Sequence, residues 1–213
     1  MLSVNRIRSH GRLTAIAAVS VTVAVLAACK GTNMGSVGTK GLWIANGTNV
    51  LEYIPKQLGT GTSAAVPHLM INSGSFGAPQ GVTFDAKGNL WVMDPAGMVN
   101  GVATPALFEF SAAQLAKLAT DNAPDPVATI TSTALAVPQQ SVFDAQGNQW
   151  VADHDNNAIL VFTAAQLAMT GTNNLNPAVV ISSTAFNGPL GIAFDKAGAL
   201  WVCLLYTSPS PRD

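Results

Sequence analysis

The sequence predicts an all-β protein built from repeated units, and three regularities lead to this prediction. The first is a tryptophan within a short apolar segment that recurs at intervals of 48, 59 and 51 residues: Trp43, Trp91, Trp150 and Trp201. The second is a Phe-Asp pair seven residues before each of the last three tryptophans: Phe84, Phe143 and Phe194 carry it. The third is a proline five residues before each of these phenylalanines. Repeats of about 40 to 50 residues indicate solenoids, propellers or other arrays.

Each full repeat begins with a pattern typical of two strands joined by a tight turn. In the second repeat, residues 81–84 read as a strand, and residues 85–89 contain a glycine that suits a positive φ. Residues 90–92 then resume the strand. The same pattern surrounds Gly147 and Gly198 in the next two repeats. An antiparallel hairpin is therefore expected in each of these three repeats.

A third strand, a short helix and a fourth strand are expected to complete the repeat. The third strands are residues 50–53, 107–110 and 159–162. Ser111 and Thr163 each begin an S/T-x-x-Q pattern, which is typical of a capping box and predicts a helix of two or three turns. The fourth, outer strands are residues 127–130 and 179–181. The first repeat keeps a weaker version, in which Pro55 starts the helix and residues 69–71 form the strand.

Four antiparallel strands per repeat, arranged radially, make up the blade of a β-propeller. The pattern P-x-G-φ-x-F-D-x-x-G-N-L-W-V-x-D, complete over residues 79–94, resembles the NHL-repeat, SMP-30/gluconolactonase and streptogramin-lyase group of propellers. The resemblance covers residues 40–202, which hold about three and a half blades. It implies a six-bladed ring when complete, with further blades after residue 202. Members of this group share blades rather than one reaction, so the resemblance predicts architecture more than activity.

The N-terminal residues have the pattern of a bacterial lipoprotein signal. Three arginines precede an apolar run over residues 14–28, which is shorter than the roughly 20 residues that span a membrane and has the size of a signal-peptide core. The run ends in Leu-Ala-Ala-Cys at residues 26–29, which resembles the lipobox of bacterial lipoproteins. That resemblance implies cleavage before Cys29 and a lipid on its thiol. The alternative is an ordinary secretory signal followed by a chance cysteine.

These features predict how the chain is organised and where it is found. Residues 1–28 are expected to be the signal peptide, and residues 29–40, rich in Gly, Thr and Ser, a flexible tether. Residues 41–202 are the partial propeller. The mature protein is then expected in the bacterial cell envelope, with the lipid on Cys29 as its membrane contact. If the host has two membranes, the periplasmic face of the outer membrane is preferred, because Lys30 stands where an inner-membrane retention Asp would.

The C-terminal residues 203–213, CLLYTSPSPRD, interrupt the repeat directly after Val202. Their back-translation resembles an in-frame reading of a transposase-type sequencing adapter. We therefore expect a non-native tail on a truncated fragment, with a natural polar tail as the alternative. Cys203 accordingly carries no redox or metal prediction.

Composition excludes several classes of protein. The chain of 213 residues is 48% apolar and only 10% charged, with a formal net charge of −1. A nucleic-acid partner would call for a basic surface, and a disordered chain would call for high charge with few apolar residues. Two cysteines are too few for a disulfide framework or a multi-cysteine zinc site. A folded domain that binds no nucleic acid is therefore expected.

Propeller topology predicts which residues can meet a ligand. With the strands of a blade lettered A to D outward from the axis, the D–A and B–C connections share one face, termed the B–C face, where ligands bind in the families that this sequence resembles. The low-charge sequence offers few polar candidates there: Asn46, Asp94, Asp153, His154 and Asp155. Asp and His could ligate a divalent cation. The alternative is that the Asx residues stabilise the B–C turns through their own backbone.

The other acidic residues are expected to have structural roles. Glu52 and Glu109 lie in third strands beside aromatic residues and are expected on solvated faces. Asp85, Asp144 and Asp195 follow strand A and are expected to form turns on the opposite, A–B face. Among the histidines, only His154 could act as a base, and no serine or cysteine is placed by a motif to be its nucleophile.

The sequence thus predicts a binding or scaffold module rather than an enzyme. Its ligand would be a protein, a glycan or a small molecule, and no cofactor is required. The alternative is a divalent-metal-dependent lactonase or hydrolase of the SMP-30 type, or a streptogramin-lyase-like enzyme. Ca²⁺, Mg²⁺ or Zn²⁺ would serve such an enzyme, and no metal-ligand set is assigned.

Overall fold

A computed structural model describes residues 41–58 and 65–205 of the chain. The expected signal peptide, the lipid site Cys29, the tether and residues 206–213 lie outside the described residues. The strands are β1 (Leu42–Ala45), β2 (Val50–Tyr53), β3 (Leu69–Ile71), β4 (Gly81–Phe84), β5 (Leu90–Val99), β6 (Val102–Phe110), β7 (Ala128–Thr131), β8 (Pro138–Phe143), β9 (Gln149–Asp153), β10 (Ala158–Phe162), β11 (Gly171–Asn174), β12 (Val179–Ser182), β13 (Pro189–Phe194) and β14 (Leu200–Leu204). The helices are α1 (Ala112–Leu115) and α2 (Ala164–Leu167), and Pro55–Gln57 form a 3₁₀ turn.

The strands form four consecutive blades of a β-propeller, as the repeats predict. The first blade has the order β1-β2-β3, and the fourth has β13-β14. The second blade is β4-β5-β6-β7, extended by β11, and the third is β8-β9-β10-β12. All neighbours within a blade are antiparallel except β7 and β11. The innermost strands are neighbours in space: β4 contacts β8, and β8 contacts β13. This is the order expected around a propeller axis.

The hairpin turns between strands A and B are held by the aspartates predicted to form them. Asp85 Oδ1 accepts hydrogen bonds from the backbone N–H of Lys87 and of Asn89, at 2.8 and 2.9 Å. Asp144 and Asp195 accept the matching pairs in the third and fourth blades. The glycines of these turns, Gly88 among them, have φ of 81° or 82°. Each turn thus combines an Asx bond with a left-handed glycine.

The capping boxes are confirmed, but the helices are shorter than predicted. The Ser111 side chain accepts from Gln114 N, and Gln114 Oε1 accepts from Ser111 N; Thr163 and Gln166 repeat the arrangement. Each helix has a single turn of four residues rather than two or three. The glutamine Nε2 also donates to a backbone carbonyl downstream, Asp125 O in one blade and Asn176 O in the other, at 2.7 Å. This bond ties each cap to the segment that returns towards the outer strand.

The hydrophobic core lies between the blades. Side chains alternate along strand B: Leu90 and Val92 pack in the interface with the first blade, and Trp91 and Met93 pack in the interface with the third. The first three tryptophans each contact the phenylalanine of the next blade. The ring centroids are 5.6 Å apart for Trp43 with Phe84, 6.2 Å for Trp91 with Phe143 and 5.5 Å for Trp150 with Phe194. These three aromatic pairs therefore lie in the core between the blades, whereas Trp201 of the fourth blade is 54% exposed.

Two features of the second blade differ from the prediction. The B–C loop expected at Asp94 is absent, because β5 continues to Val99 and pairs with β6 beyond a register shift between Asp94 and Gly97. The hairpin turns instead at Asn100 and Gly101, which have φ of 51° and 78°. The second feature is β11, which leaves the third blade and pairs in parallel with β7 of the second. The outer edge of the second blade is therefore covered by its neighbour's chain.

Replacing Phe143 with alanine should destabilise the fold through the interface between the second and third blades. Loss of the phenyl ring from beside Trp91 removes buried area and a tilted aromatic contact, which together cost about 3 kcal/mol. Phe143→Leu keeps most of the volume and should cost about 1 kcal/mol. Urea unfolding of the two variants measures both values. Equal losses for alanine and leucine would show that this contact does not hold the two blades together.

Candidate functional site

Asp94 and Asp153 end the regular part of strand B on the B–C face, and both are fully buried. Asp153 accepts from the backbone N–H groups of Ala136 and Val137, at 2.8 and 2.9 Å. Asp94 accepts in the same way from Gly77 and Ala78, both at 2.9 Å, and also from the N–H of Ala96. Each carboxylate therefore fastens the D–A loop that leads into its own blade. This arrangement is termed the loop clasp. It gives both residues a structural role, although the alternative of a bond to the local backbone of the B–C turn is seen only for Asp94, through Ala96.

The pKa values of Asp94 and Asp144 are shifted in opposite directions by their surroundings. Burial raises the pKa of Asp94 above its ordinary value, and the three backbone hydrogen bonds offset this only in part. Asp144 on the A–B face behaves in the opposite way. Burial there is outweighed by hydrogen bonds from Trp150 Nε1 and from Asn148, so the pKa of Asp144 is lowered.

Asn46 lies at the matching position of the first blade and is exposed. Its Nδ2 donates to Asn49 Oδ1 at 3.1 Å, and its backbone N–H donates to Asn49 O at 2.9 Å. Both contacts stay within the β1–β2 turn. The structure therefore places Asn46 in the β1–β2 turn, apart from the other candidates.

His154 and Asp155 lie together in the turn between β9 and β10. His154 Nδ1 is 2.6 Å from Asp155 Oδ1, and the two side chains are 29% and 59% exposed. They line a pocket of about 340 Å³, termed the mouth pocket, whose complete lining is His154, Asp155, Asn157, Asn187, Gly188 and Leu205. Residues 154–157 belong to the B–C turn of the third blade, and residues 187 and 188 to the loop that enters the fourth. The pocket thus forms between two consecutive blades on the face that was predicted.

Gly188 shapes the mouth pocket. Its φ is 57°, and its N–H donates to Asn157 Oδ1 at 2.8 Å. Asn157 itself has a φ of 50°, which is uncommon for a residue other than glycine. A Cβ at position 188 would lie 2.6 Å from His154 Nε2, so only glycine leaves room for the imidazole.

The described residues do not fit a metal centre. In residues 41–58 and 65–205, no three His, Cys, Asp or Glu side chains converge where an ion could bind. The two clasp carboxylates are directed at backbone N–H groups, which leaves the pair His154 and Asp155 at the mouth pocket. Two donors are fewer than a protein normally supplies to Ca²⁺ or Zn²⁺.

Sequence reasoning located part of this site. His154 and Asp155 were candidates from their position, whereas Asn157, Asn187 and Gly188 were not. Asn187-Gly188 is a turn signal in the sequence, but nothing local shows that it meets the B–C turn about thirty residues earlier. The expectation that Glu52 lies on a solvated face is wrong. Glu52 is 4% exposed and 3.2 Å from His68 Nδ1, because β3 and the segment before it fold across β2.

The chain resembles known proteins in its fold. No protein-family model matches this chain, and no curated protein sequence matches it. Among solved structures, a hydrazine synthase from Kuenenia stuttgartiensis matches with a TM-score of 0.50 and 13% identity, over 86% of this chain and 47% of that one. A protein described as the extracellular domain of a one-component system from B. thetaiotaomicron matches with a TM-score of 0.51 and 14% identity, over 79% of this chain and 21% of that one.

A streptogramin B lyase matches at a TM-score of 0.39 and 16% identity, over 78% of this chain and 46% of the lyase, which is too distant to bear on activity. The chain spans about half or less of the length of these proteins. The similarity supports the propeller architecture alone. No helix among the described residues is long and apolar enough to cross a membrane.

Replacing Asp153 with asparagine should destabilise the protein by about 3 kcal/mol. The new amide NH₂ would face the backbone donors of Ala136 and Val137, so one buried N–H loses its acceptor and a charged hydrogen bond is lost. Asp155→Asn, two residues away and exposed, is the matched control and should change stability by less than about 0.5 kcal/mol. Urea unfolding measures both variants. A near-zero effect of D153N would rule out the loop clasp as a structural bond.

Asp94 and Asp144 should contribute to stability with opposite pH dependence. Because the pKa of Asp94 is raised in the folded state, its contribution to stability is complete below the ordinary pKa of 3.8. That contribution is lost as the pH rises through the folded-state pKa. Because the pKa of Asp144 is lowered in the folded state, its contribution to stability is complete above pH 3.8. That contribution is lost as the pH falls through the folded-state pKa. The unfolding free energy of the wild type minus that of D94N should therefore fall as the pH rises above the ordinary value of 3.8, and the same difference for D144N should not. Parallel pH profiles for the two variants would contradict this assignment.

Proposed function

We propose that this protein is a lipid-anchored β-propeller of the bacterial cell envelope that binds a small polar ligand at the mouth pocket. The observation that carries the proposal is the convergence of His154, Asp155 and Asn157 with Asn187 across the gap between two blades. Ligand pockets commonly lie where two structural units meet, and about 340 Å³ is at the small end of their usual range.

The lining of the mouth pocket defines what it can hold. Asp155 engages Nδ1 of His154, and within the described residues Nε2 makes no hydrogen bond. Nε2 is therefore available to a ligand, together with the side-chain amide of the exposed Asn187. These groups favour a ligand with several hydrogen-bonding atoms over an apolar one. Leu205 is the one apolar side chain of the lining and belongs to the expected non-native tail, so the proposal does not depend on it.

The anchor is proposed from the N-terminal sequence. A lipid on Cys29 would hold the chain at the membrane, and a flexible tether of about twelve residues has a mean span of about 20 Å. The propeller would therefore remain close to the lipid surface and meet ligands within the envelope.

A catalytic role is the second candidate, because the carboxylate of Asp155 lies 2.6 Å from Nδ1 of His154. A carboxylate in this position orients an imidazole, so His154 could remove a proton from water or substrate. This candidate corresponds to the lactonase, hydrolase or lyase alternative. The ligands of its divalent cation would then come from residues outside those described.

Binding and catalysis at the mouth pocket can be separated with sodium gluconate and glucono-δ-lactone as probes. Binding to the folded state raises the melting temperature, so the proposal expects a rise with gluconate that H154A and D155N abolish. His68→Ala, on the first blade, is the matched control and should retain the rise. Hydrolysis of the lactone by the wild type, followed in a pH-stat and lost in H154A, would establish the enzyme instead. If gluconate and the lactone each leave the melting temperature and the rate unchanged, the mouth pocket does not bind small polar acids or lactones.

The anchor is tested by metabolic labelling with radioactive palmitate in a bacterial host. The wild type should incorporate label and sediment with membranes, and Cys29→Ala should do neither. Label in C29A, or a soluble unlabelled wild type, would overturn the lipid assignment.

A further inference from the structure

The mouth pocket is acidic, which narrows the class of ligand that it can bind. Among the described residues that line it, Asp155 is the only carboxylate, and none is a lysine or an arginine. The Asp155 side chain is 59% exposed, so a ligand that enters the pocket meets its charge. The buried carboxylate of Asp153 stands two positions earlier in the chain and adds to the negative potential.

Basic residues lie away from this pocket. The described part of the chain has no arginine, and its lysines are Lys56, Lys87, Lys117 and Lys196. All four belong to connections between strands A and B or between strands C and D, on the A–B face. The potential at the mouth pocket is therefore negative, which attracts cations and disfavours anions.

His154 presents an open hydrogen-bond acceptor to the pocket. A neutral imidazole has its proton on one nitrogen and a lone pair on the other. Asp155 Oδ1 lies 2.6 Å from Nδ1 and holds the proton there, so the lone pair is on Nε2. Nε2 has no hydrogen-bond partner within the described residues and is not closed off from solvent. Gly188 keeps the approach free, since a Cβ there would lie 2.6 Å from Nε2.

Three kinds of ligand group can be compared at this nitrogen. A carboxylate or a phosphate dianion has no proton to donate to Nε2 and is repelled by Asp155. A hydroxyl can donate to Nε2 but brings no charge to pair with the carboxylate. An ammonium group has three N–H donors and a positive charge, so it satisfies Nε2 and is also attracted by Asp155. A protonated amine therefore fits the chemistry of the pocket best.

The two asparagines of the lining suit the rest of such a ligand. Asn157 Oδ1 accepts from the N–H of Gly188 at 2.8 Å, which leaves its Nδ2 as a donor. Asn187 is exposed, and its side-chain amide makes no hydrogen bond within the described residues. Amide N–H groups donate to uncharged oxygen atoms such as those of hydroxyl groups.

We propose that the ligand of the mouth pocket is a hydroxylated amine. Its ammonium group donates to His154 Nε2 beside Asp155, and its hydroxyl oxygens accept from Asn157 and Asn187. The amine assignment rests on the proposed binding at the mouth pocket and adds the class of ligand to it.

Three polyols that share one carbon chain and differ at one end test the assignment. Glucamine ends in an ammonium group, glucitol in a hydroxyl and gluconate in a carboxylate. At about pH 8, where ordinary imidazoles are neutral, their affinities for the full chain should fall in that order. Glucamine should bind about tenfold more tightly than gluconate, because it exchanges repulsion by an exposed carboxylate for attraction. Isothermal titration calorimetry measures the dissociation constants, which should be millimolar for ligands of about a dozen heavy atoms.

Variants separate the charge of Asp155 from its effect on the imidazole. Asp155→Asn keeps an oxygen that accepts from Nδ1 but removes the charge, so glucamine should then bind no more tightly than glucitol. Asp125→Asn is the matched control, because it removes an exposed charge from the segment between α1 and β7. This control should keep the order of the three affinities.

A methylated ligand tests the hydrogen bond to Nε2. N,N,N-Trimethylglucaminium keeps the positive charge of glucamine but has no N–H to donate. It should bind the wild type about fivefold more weakly than glucamine, which corresponds to the loss of one hydrogen bond. His154→Ala lacks Nε2 and should bind the two cations with equal affinity.

The outcomes distinguish this assignment from the proposed function. Equal affinities for glucamine, glucitol and gluconate would overturn the amine assignment and leave the mouth pocket as a binding site. Tighter binding of gluconate, or a preference for glucamine that D155N retains, would overturn the assignment in the same way. If none of the three polyols binds, both the assignment and the proposed function are wrong.

Discussion

The contact between the tryptophan of one blade and the phenylalanine of the next is the interaction on which the rest of this structure depends. A single blade is a twisted sheet that is apolar on both faces and cannot bury both alone. Trp91 against Phe143, and its equivalents on either side, close each interface with a large edge-on or tilted aromatic contact. Three separate clusters of buried residues follow, one for each pair of neighbouring blades. The spacing between blades, and with it every cavity between them, is set by these rings.

The loop clasp fixes the D–A loops of the B–C face to the core. Asp94 and Asp153 sit at the end of strand B, where the core fixes them, and each holds two N–H groups of the preceding D–A loop. In the fourth blade the corresponding position is residue 204, which belongs to the expected non-native tail. Gly188 of the D–A loop of this blade bonds to Asn157 of the third blade, across the mouth pocket. This bond connects the loop to the neighbouring blade.

The elements that recur in every repeat could be predicted from the sequence. The features that depend on contacts between repeats could not. The strands, both capping boxes and the aromatic core follow from local patterns that recur at fixed spacing. The long β5–β6 hairpin carried a readable signal, since Asn100-Gly101 is the dipeptide that favours a two-residue turn, but the Trp-x-x-Asp pattern suggested an earlier end. The strand β11 could not be predicted, because Gly171–Asn174 is polar and exposed and pairs with a strand about forty residues away. The burial of Glu52 and the meeting of Asn157 with Gly188 are of the same long-range kind.

A repeat protein separates the residues that hold its fold from those free to do something else. Asp85, Asp144 and Asp195 recur and make the same turn each time, so their presence says little about ligands. His154 has no counterpart in the second blade, where β5 runs on instead of turning. This departure from the repeat lies at the rim of the third blade, beside the mouth pocket. The core between the blades is formed by residues that recur, so the rim is where this propeller can acquire chemistry of its own.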